Sequence, residues 1–298
     1  MDKKLSYNTP WILQRADPYV YRHTDGTYYF TASVPEYDRI VLRSGRSLVE
    51  LSDAPEYEIW HKHESGPQSI HIWAPELHYL FGKWYIYYAG GDKDDIWAIR
   101  PYVLECEGDD PVRDPWIEKG KMARADGDEF SFEAFSLDAT VFEVNGRWYY
   151  VWAEKVGVGK QISNLYIARM KNGYTLDTVQ VLLTTPDYDW ERYGFWVNEG
   201  PAVLQRDGKV FLTYSASDTG IHYCMGMLMP MRICWIRCRG RRNVIRCLAP
   251  AKRQASTGRG IILLRPMRRG MILWYIMPER RRKLWGIRCI IRTAMRCL

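Results

Sequence analysis

The sequence predicts an all-β fold, a propeller of four-stranded blades, and three observations carry that prediction. The first is a recurring local pattern: an acidic residue heads an apolar strand, a Gly-containing turn follows, and a second strand rich in aromatic residues returns. The pattern occurs at Asp17, Glu76, Asp138 and Glu199, at steps of 59, 62 and 61 residues. The second is the period itself, which leaves room for two more strands per repeat and so matches one antiparallel blade. The third is that alternating apolar and aromatic residues dominate while sustained helical periodicity is missing. A chain of 298 residues has room for about five such units of roughly 60 residues. The expected architecture is therefore a five-bladed β-propeller, with the fifth blade in doubt because the C-terminal part breaks the pattern.

Each repeat supplies its own strands. In the first, Asp17-Pro18-Tyr19-Val20-Tyr21 leads through the turn Thr24-Asp25-Gly26-Thr27 to Tyr28-Tyr29-Phe30, and residues 39–44 and 58–62 read as outer strands. In the second, residues 69–73 lead into Glu76, Phe81-Gly82-Lys83 turns the chain, and 84–89 and 102–106 follow. The acidic stretch 107–111 lacks the ligand spacing of a calcium loop and reads as a solvated connection. In the third, Asp138 precedes the turn Asn145-Gly146-Arg147 and the strand 148–153, and 164–169 and 180–183 complete the unit. In the fourth, an aromatic segment at 188–193 runs into Phe195-Trp196-Val197-Asn198-Glu199-Gly200-Pro201, then the turn Arg206-Asp207-Gly208-Lys209 and the strand 210–214.

Blades around one axis place the starts of their innermost strands at the same end of the central channel, so the acids are expected to converge on one pocket. Glu199 sits among aromatic residues, and a carboxyl group held against such surface resists ionising, which suits a general acid. An Asn-, Gly- and Pro-containing turn between two strands is the other reading of the same residues. His71 and Trp73 alternate with apolar neighbours and are expected on one strand face. A tryptophan there serves either as a stacking platform for a sugar ring or as core packing.

Charge divides the chain. Residues 1–224 hold 23 Lys and Arg against 34 Asp and Glu, a net of −11, whereas residues 225–298 hold 19 against 1, a net of +18. The basic part also contains Cys234, Cys238, Cys247, Cys289, Cys297 and the cluster Arg280-Arg281-Arg282. Three readings compete for it: a polyanion-binding extension, a zinc site, and an out-of-frame translation of what was once a fifth blade. Zinc is disfavoured by irregular Cys spacing and the absence of His after residue 224. The frame-shift reading is preferred, because moving the frame within acidic codons removes the acids and yields Met, Ile, Arg and Cys. The expected domains are thus a propeller catalytic domain over 1–228 and a disrupted fifth blade over 229–298. Nucleic acid is not expected as a partner, since only the basic tail suggests it. No run is long and apolar enough to span a membrane. The N-terminus lacks a signal-type apolar segment and Cys106 is the only cysteine before residue 224, so the expected location is cytoplasmic.

The segments Ala16-Asp17-Pro18, His71-Ile72-Trp73-Ala74-Pro75-Glu76, Ser136-Leu137-Asp138-Ala139 and Val197-Asn198-Glu199-Gly200-Pro201, in this order and at blade spacing, resemble glycoside hydrolase family 43 from about residue 8 to about residue 228. Within it the chain is most similar to α-L-arabinofuranosidases, with β-D-xylosidases as the alternative and a non-catalytic sugar-binding propeller as a third possibility. The resemblance implies an inverting glycosidase acting on arabinose- or xylose-containing oligosaccharides. It implies Asp17 as general base, Glu199 as general acid, and Asp138 as the carboxylate that orients the acid and raises its pKa. Trp73, His71 and Trp196 are the candidate substrate contacts, and Glu76 is read as structural. No cofactor is expected and no metal ligand is assigned; a structural calcium ion in the central channel is compatible with the family, but the family's channel histidine has no counterpart in the tail.

Overall fold

The structure, a computed structural model, describes residues 12–156, 161–237, 243–248, 253–257, 261–267 and 270–276, with side chains as far as Leu228. The described residues are all-β apart from one short helix at Leu48–Asp53 and one 3-10 turn at Asp189–Glu191. Two compact units divide the chain: Met1–Met122 with Asn172–Tyr174, and Ala123–Lys171 with Thr175–Leu298.

The first unit holds two four-stranded antiparallel sheets, each in sequence order. One is β1 (Ala16–Arg22), β2 (Tyr28–Ser33), β3 (Arg39–Gly45) and β4 (Tyr57–His61); the other is β5 (Pro67–Leu80), β6 (Lys83–Asp92), β7 (Asp95–Cys106) and β8 (Ile117–Lys121). Seven of these eight strands are those expected from the first two repeats; β8 was not anticipated. Between them lies an aromatic and aliphatic core that includes Tyr29, Leu42, Leu77, Trp84, Ile86 and Leu104, the pattern that β-branched and aromatic strands produce when one face is buried.

In the second unit, β9 (Ser136–Val144), β10 (Arg147–Val156) and β11 (Ile162–Asn172) form the third repeat, with β12 (Thr175–Leu176) and β13 (Val181–Thr184) both on β11. The fourth repeat is β14 (Trp196–Arg206), β15 (Lys209–Ala216) and β16 (Cys224–Arg237). A short parallel pairing of Ile162 with Trp196 and Ser163 with Val197 joins β11 to β14. Trp152, Tyr150, Tyr149 and Tyr214 are fully buried in this unit. Beyond Leu228 the backbone still forms strands. β17 (Asn243–Leu248) and β18 (Arg253–Thr257) pair with opposite halves of β16, and β19 (Ile261–Met267) pairs with β20 (Gly270–Ile276). The side chains on which the reading of 229–298 rests, the five cysteines and Arg280 to Arg282 included, lie outside those described.

One irregularity recurs in all four repeats. Two residues of the innermost strand stand opposite one of its partner between Ala16 and Tyr19, Trp73 and Glu76, Leu137 and Thr140, and Glu199 and Ala202. Each is a β-bulge, which bends a strand and re-aims its side chains. In each the first of the two has left-handed backbone: Asp17 at φ 49°, Ala74 at 47°, Asp138 at 51° and Gly200 at 56°.

Candidate active site

The bulge corrects the expected equivalence of the four acids. Asp17 and Asp138 occupy the same left-handed position, Glu199 stands one residue before it, and Glu76 two residues after it. A count of residues between acids could not see this, because a one-residue offset changes the spacing little while turning a strand side chain to the other face.

In the first unit, Asp17 is half-buried and its Oδ2 accepts a hydrogen bond of 2.7 Å from Ser33 Oγ. The same Ser33 oxygen accepts from the backbone N–H of Ala74 at 2.8 Å, tying the bulge of β1 to that of β5. Burial pushes the Asp17 carboxyl up from its ordinary range, and the Ser33 hydrogen bond partly offsets this. A carboxylate short of solvation is a stronger proton acceptor, which is what activation of a water requires. Glu76 is committed elsewhere: its Oε2 lies 2.8 Å from Nε2 of the buried His78, whose Nδ1 lies 3.3 Å from the Tyr19 hydroxyl.

β5 carries three bulges in succession, with Gln68, His71 and Ala74 each left-handed. Simple alternation therefore does not place His71 and Trp73, yet their rings meet at 4.4 Å between centroids. Tyr37 stands edge-on to Trp73 at 6.0 Å, and Trp97 stacks on His71 at 6.1 Å and 23°. Trp73 is half-buried rather than a core residue, and Trp97 is 61% exposed. Burial pulls His71 below the usual histidine range, favouring the neutral ring. Trp97, on β7, was not singled out from the sequence; a tryptophan beside a turn carries no motif.

In the second unit, Asp138 Oδ2 accepts a hydrogen bond of 3.0 Å from the backbone N–H of Gly200, the neighbour of Glu199. Asp138 and Glu199 are thus linked through one peptide unit. The other three repeats hold a side chain at this left-handed position; what sets Gly200 apart is space, since a Cβ there would lie 2.6 Å from Ser215 Oγ. Ser215 is the register partner of Glu199, as Ser33 ends β2 opposite Ala16. Trp196 is half-buried beneath the Arg192 guanidinium, 4.6 Å from the ring centre. Among the described residues no group of three or more His, Cys, Asp or Glu could hold a metal ion, so the calcium compatible with the family is assigned to none of them. Among the described residues no helix is long and apolar enough to cross a membrane.

The family model of glycosyl hydrolases family 43 matches residues 7–242, past the limit near 228 read from the motifs. An extracellular exo-α-(1→5)-L-arabinofuranosidase of Streptomyces chartreusis is 50% identical over 221 residues, 74% of this chain and 66% of that protein. An enzyme of the same name from Streptomyces avermitilis is 49% identical over 75% of this chain and 45% of its own. The chain thus spans between about half and two thirds of the length of the curated relatives it matches. The crystal structure of α-L-arabinofuranosidase from Lactobacillus brevis superposes with a TM-score of 0.72 at 42% identity, covering 89% of this chain and 83% of that one. Two of these relatives are named extracellular, which overturns the cytoplasmic expectation. The low cysteine count did not bear on location, since a domain of this size buries enough core to dispense with disulfides in any compartment. The motifs, the four bulged repeats and these matches agree, and the fold is the all-β, five-bladed propeller class of that group: the chain belongs to glycosyl hydrolases family 43.

Proposed function

We propose that this chain is an inverting glycosidase that removes terminal α-L-arabinofuranosyl residues from arabinose-containing oligo- or polysaccharides. Its relatives in Streptomyces carry the name exo-α-(1→5)-L-arabinofuranosidase. The observation that carries the reading is the Asp138–Gly200 hydrogen bond, which couples one bulge carboxylate to the residue beside Glu199. That arrangement suits a paired acid and its orienting group.

In this reading Asp17 takes a proton from the water that attacks the anomeric carbon. Glu199 gives its proton to the departing glycosidic oxygen, and Asp138 keeps Glu199 oriented. Inversion asks for the base and acid to stand roughly 6.5–9.5 Å apart, so that the water fits. His71 and Trp73 supply aromatic surface to the sugar and Trp196 a second such surface beside the acid. Residues 229–298 are read as a disrupted fifth blade, and polyanion binding has no part in the activity.

Replacing Glu199 by Gln tests the assignment. Turnover of natural-type arabino-oligosaccharides should fall about 10²–10⁴-fold, and that of aryl arabinofuranosides with acidic phenol leaving groups far less, because only the poor leaving groups need the proton. Equal losses on both substrates would remove Glu199 from the acid role.

A further inference from the structure

We propose that Lys155 is a positioning residue of the general acid, a fixed cation that stabilises the Glu199 carboxylate as its proton departs. The proposal rests on the glycosidase reading of Glu199. Nothing in the sequence motifs points to Lys155; the strand register does.

Lys155 lies near the end of β10 and stands opposite Ser163 on β11, and Ser163 stands opposite Val197 on β14. Residues paired in register share a face of the sheet, and so do residues two apart on a strand. Lys155, Ser163, Val197 and Glu199 therefore project from one face across three adjacent strands. The Lys155 ammonium is partly buried and sits 4.0 Å from the ring centre of Phe135, a cation–π contact that limits where its charge can be. Its backbone N–H donates to the Phe135 carbonyl at 2.9 Å. The loop carrying Phe135 is itself fixed. The buried Glu154 carboxylate accepts from the N–H groups of Phe132 at 3.0 Å and Ala134 at 3.1 Å, and from the Trp152 indole at 2.8 Å. Burial pulls the Lys155 ammonium below the usual lysine range, while the Glu199 charge opposes that shift.

β9 brings Asp138 and Glu143, β10 brings Arg147, Glu154 and Lys155, β11 brings Arg169 and Lys171, and β15 brings Lys209. Glu154 is committed to the Phe132 and Ala134 N–H groups, and Glu143, Arg147, Arg169, Lys171 and Lys209 lie toward the other ends of their strands, while the neutral Ser163 and Ser215 stand opposite Val197 and Glu199. On the approach to β14, Arg192 lies over Trp196, and Asp218 and His222 pair with each other after β15. Glu199 is thus placed with an anion on one neighbouring hairpin strand and a cation on the other. Asp138 favours the protonated acid before reaction; Lys155 favours the carboxylate that forms as the proton leaves. Stabilisation that grows only as the charge develops lowers the barrier rather than tightening substrate binding.

Lys155→Met and Lys155→Arg test this in the full-length chain. A cation beside a carboxyl group favours its ionised form, so removing it should move the basic limb of the kcat/KM profile up by about half a unit to one unit. It should also slow poor leaving groups by about 10-fold or more while sparing good ones, with KM little changed. Lys155→Arg should keep the wild-type limb. Glu199 titration followed by ¹³C NMR, assigned with Glu199→Gln, reads the same shift without turnover. An inactive wild type with a shifted Glu199 titration in Lys155→Met would sink the arabinofuranosidase reading and leave the charge pairing standing. An unmoved titration, or equal effects of Met and Arg, would overturn the proposal.

Discussion

Ser33 shows how much chemistry rests on a residue without a signature. It donates to Asp17 and accepts from Ala74, so Ser33→Ala deprives the proposed base of its only described hydrogen-bond donor and leaves a buried N–H without its acceptor. The expected cost in stability is about 1–3 kcal/mol, read from a denaturant melt. The pH effect has a defined sign. Ser33 holds the Asp17 carboxyl down against burial, so its loss raises that carboxyl further and moves the acidic limb of kcat/KM to higher pH. An unmoved limb would show that Asp17 is not the base that titrates. Asp17, Asp138 and Glu199 were legible in the sequence because each sits in a short, ordered motif beside Pro, Ala or Gly. Ser33, Lys155 and Trp97 were not, because each is brought beside its neighbour only by strand pairing.

At the scale of the element, the hairpins were legible and the bulges were not. Gly-containing turns between aromatic strands announce the pairs β1–β2, β5–β6, β9–β10 and β14–β15. The extra residue in each innermost strand leaves no trace in apolar alternation, and so Glu76 was aligned with Asp17 and Asp138 although it lies two positions on. The bulge in β14 is also where a single methyl group should be felt most. Gly200→Ala forces a left-handed residue to carry a Cβ, at about 1–2 kcal/mol, and drives it toward Ser215 Oγ. The N–H that holds Asp138 must then move. The expected result is a destabilised chain whose kcat falls more than its melting temperature alone would explain. A variant with wild-type kcat would detach the Asp138–Gly200 bond from catalysis.

For the whole molecule, the change at residue 225 from a net of −11 to a net of +18 is the dominant fact. If the tail is an out-of-frame fifth blade, translating the coding DNA beyond codon 228 in the other frames should give an acidic, Gly-turn-rich sequence containing His and Arg. The repaired chain should then be more soluble and melt more sharply, since an unclosed blade leaves strand edges open to aggregation. Full activity with a cooperative melt of the 298-residue chain would count against that reading. The left-handed seat shared by Asp17 and Asp138 bears on durability as well. Asp17 keeps a carboxylate where the fold resists ionisation, in a backbone conformation that Asn tolerates better than most residues. Because its folded pKa is raised, the penalty is present at neutral pH and vanishes below the unfolded value. Asp17→Asn should therefore be inert yet melt higher than the wild type at pH 7, with the gap closing near pH 4. A dead protein that outlasts the living one is also the natural vessel for trapping an uncleaved oligosaccharide.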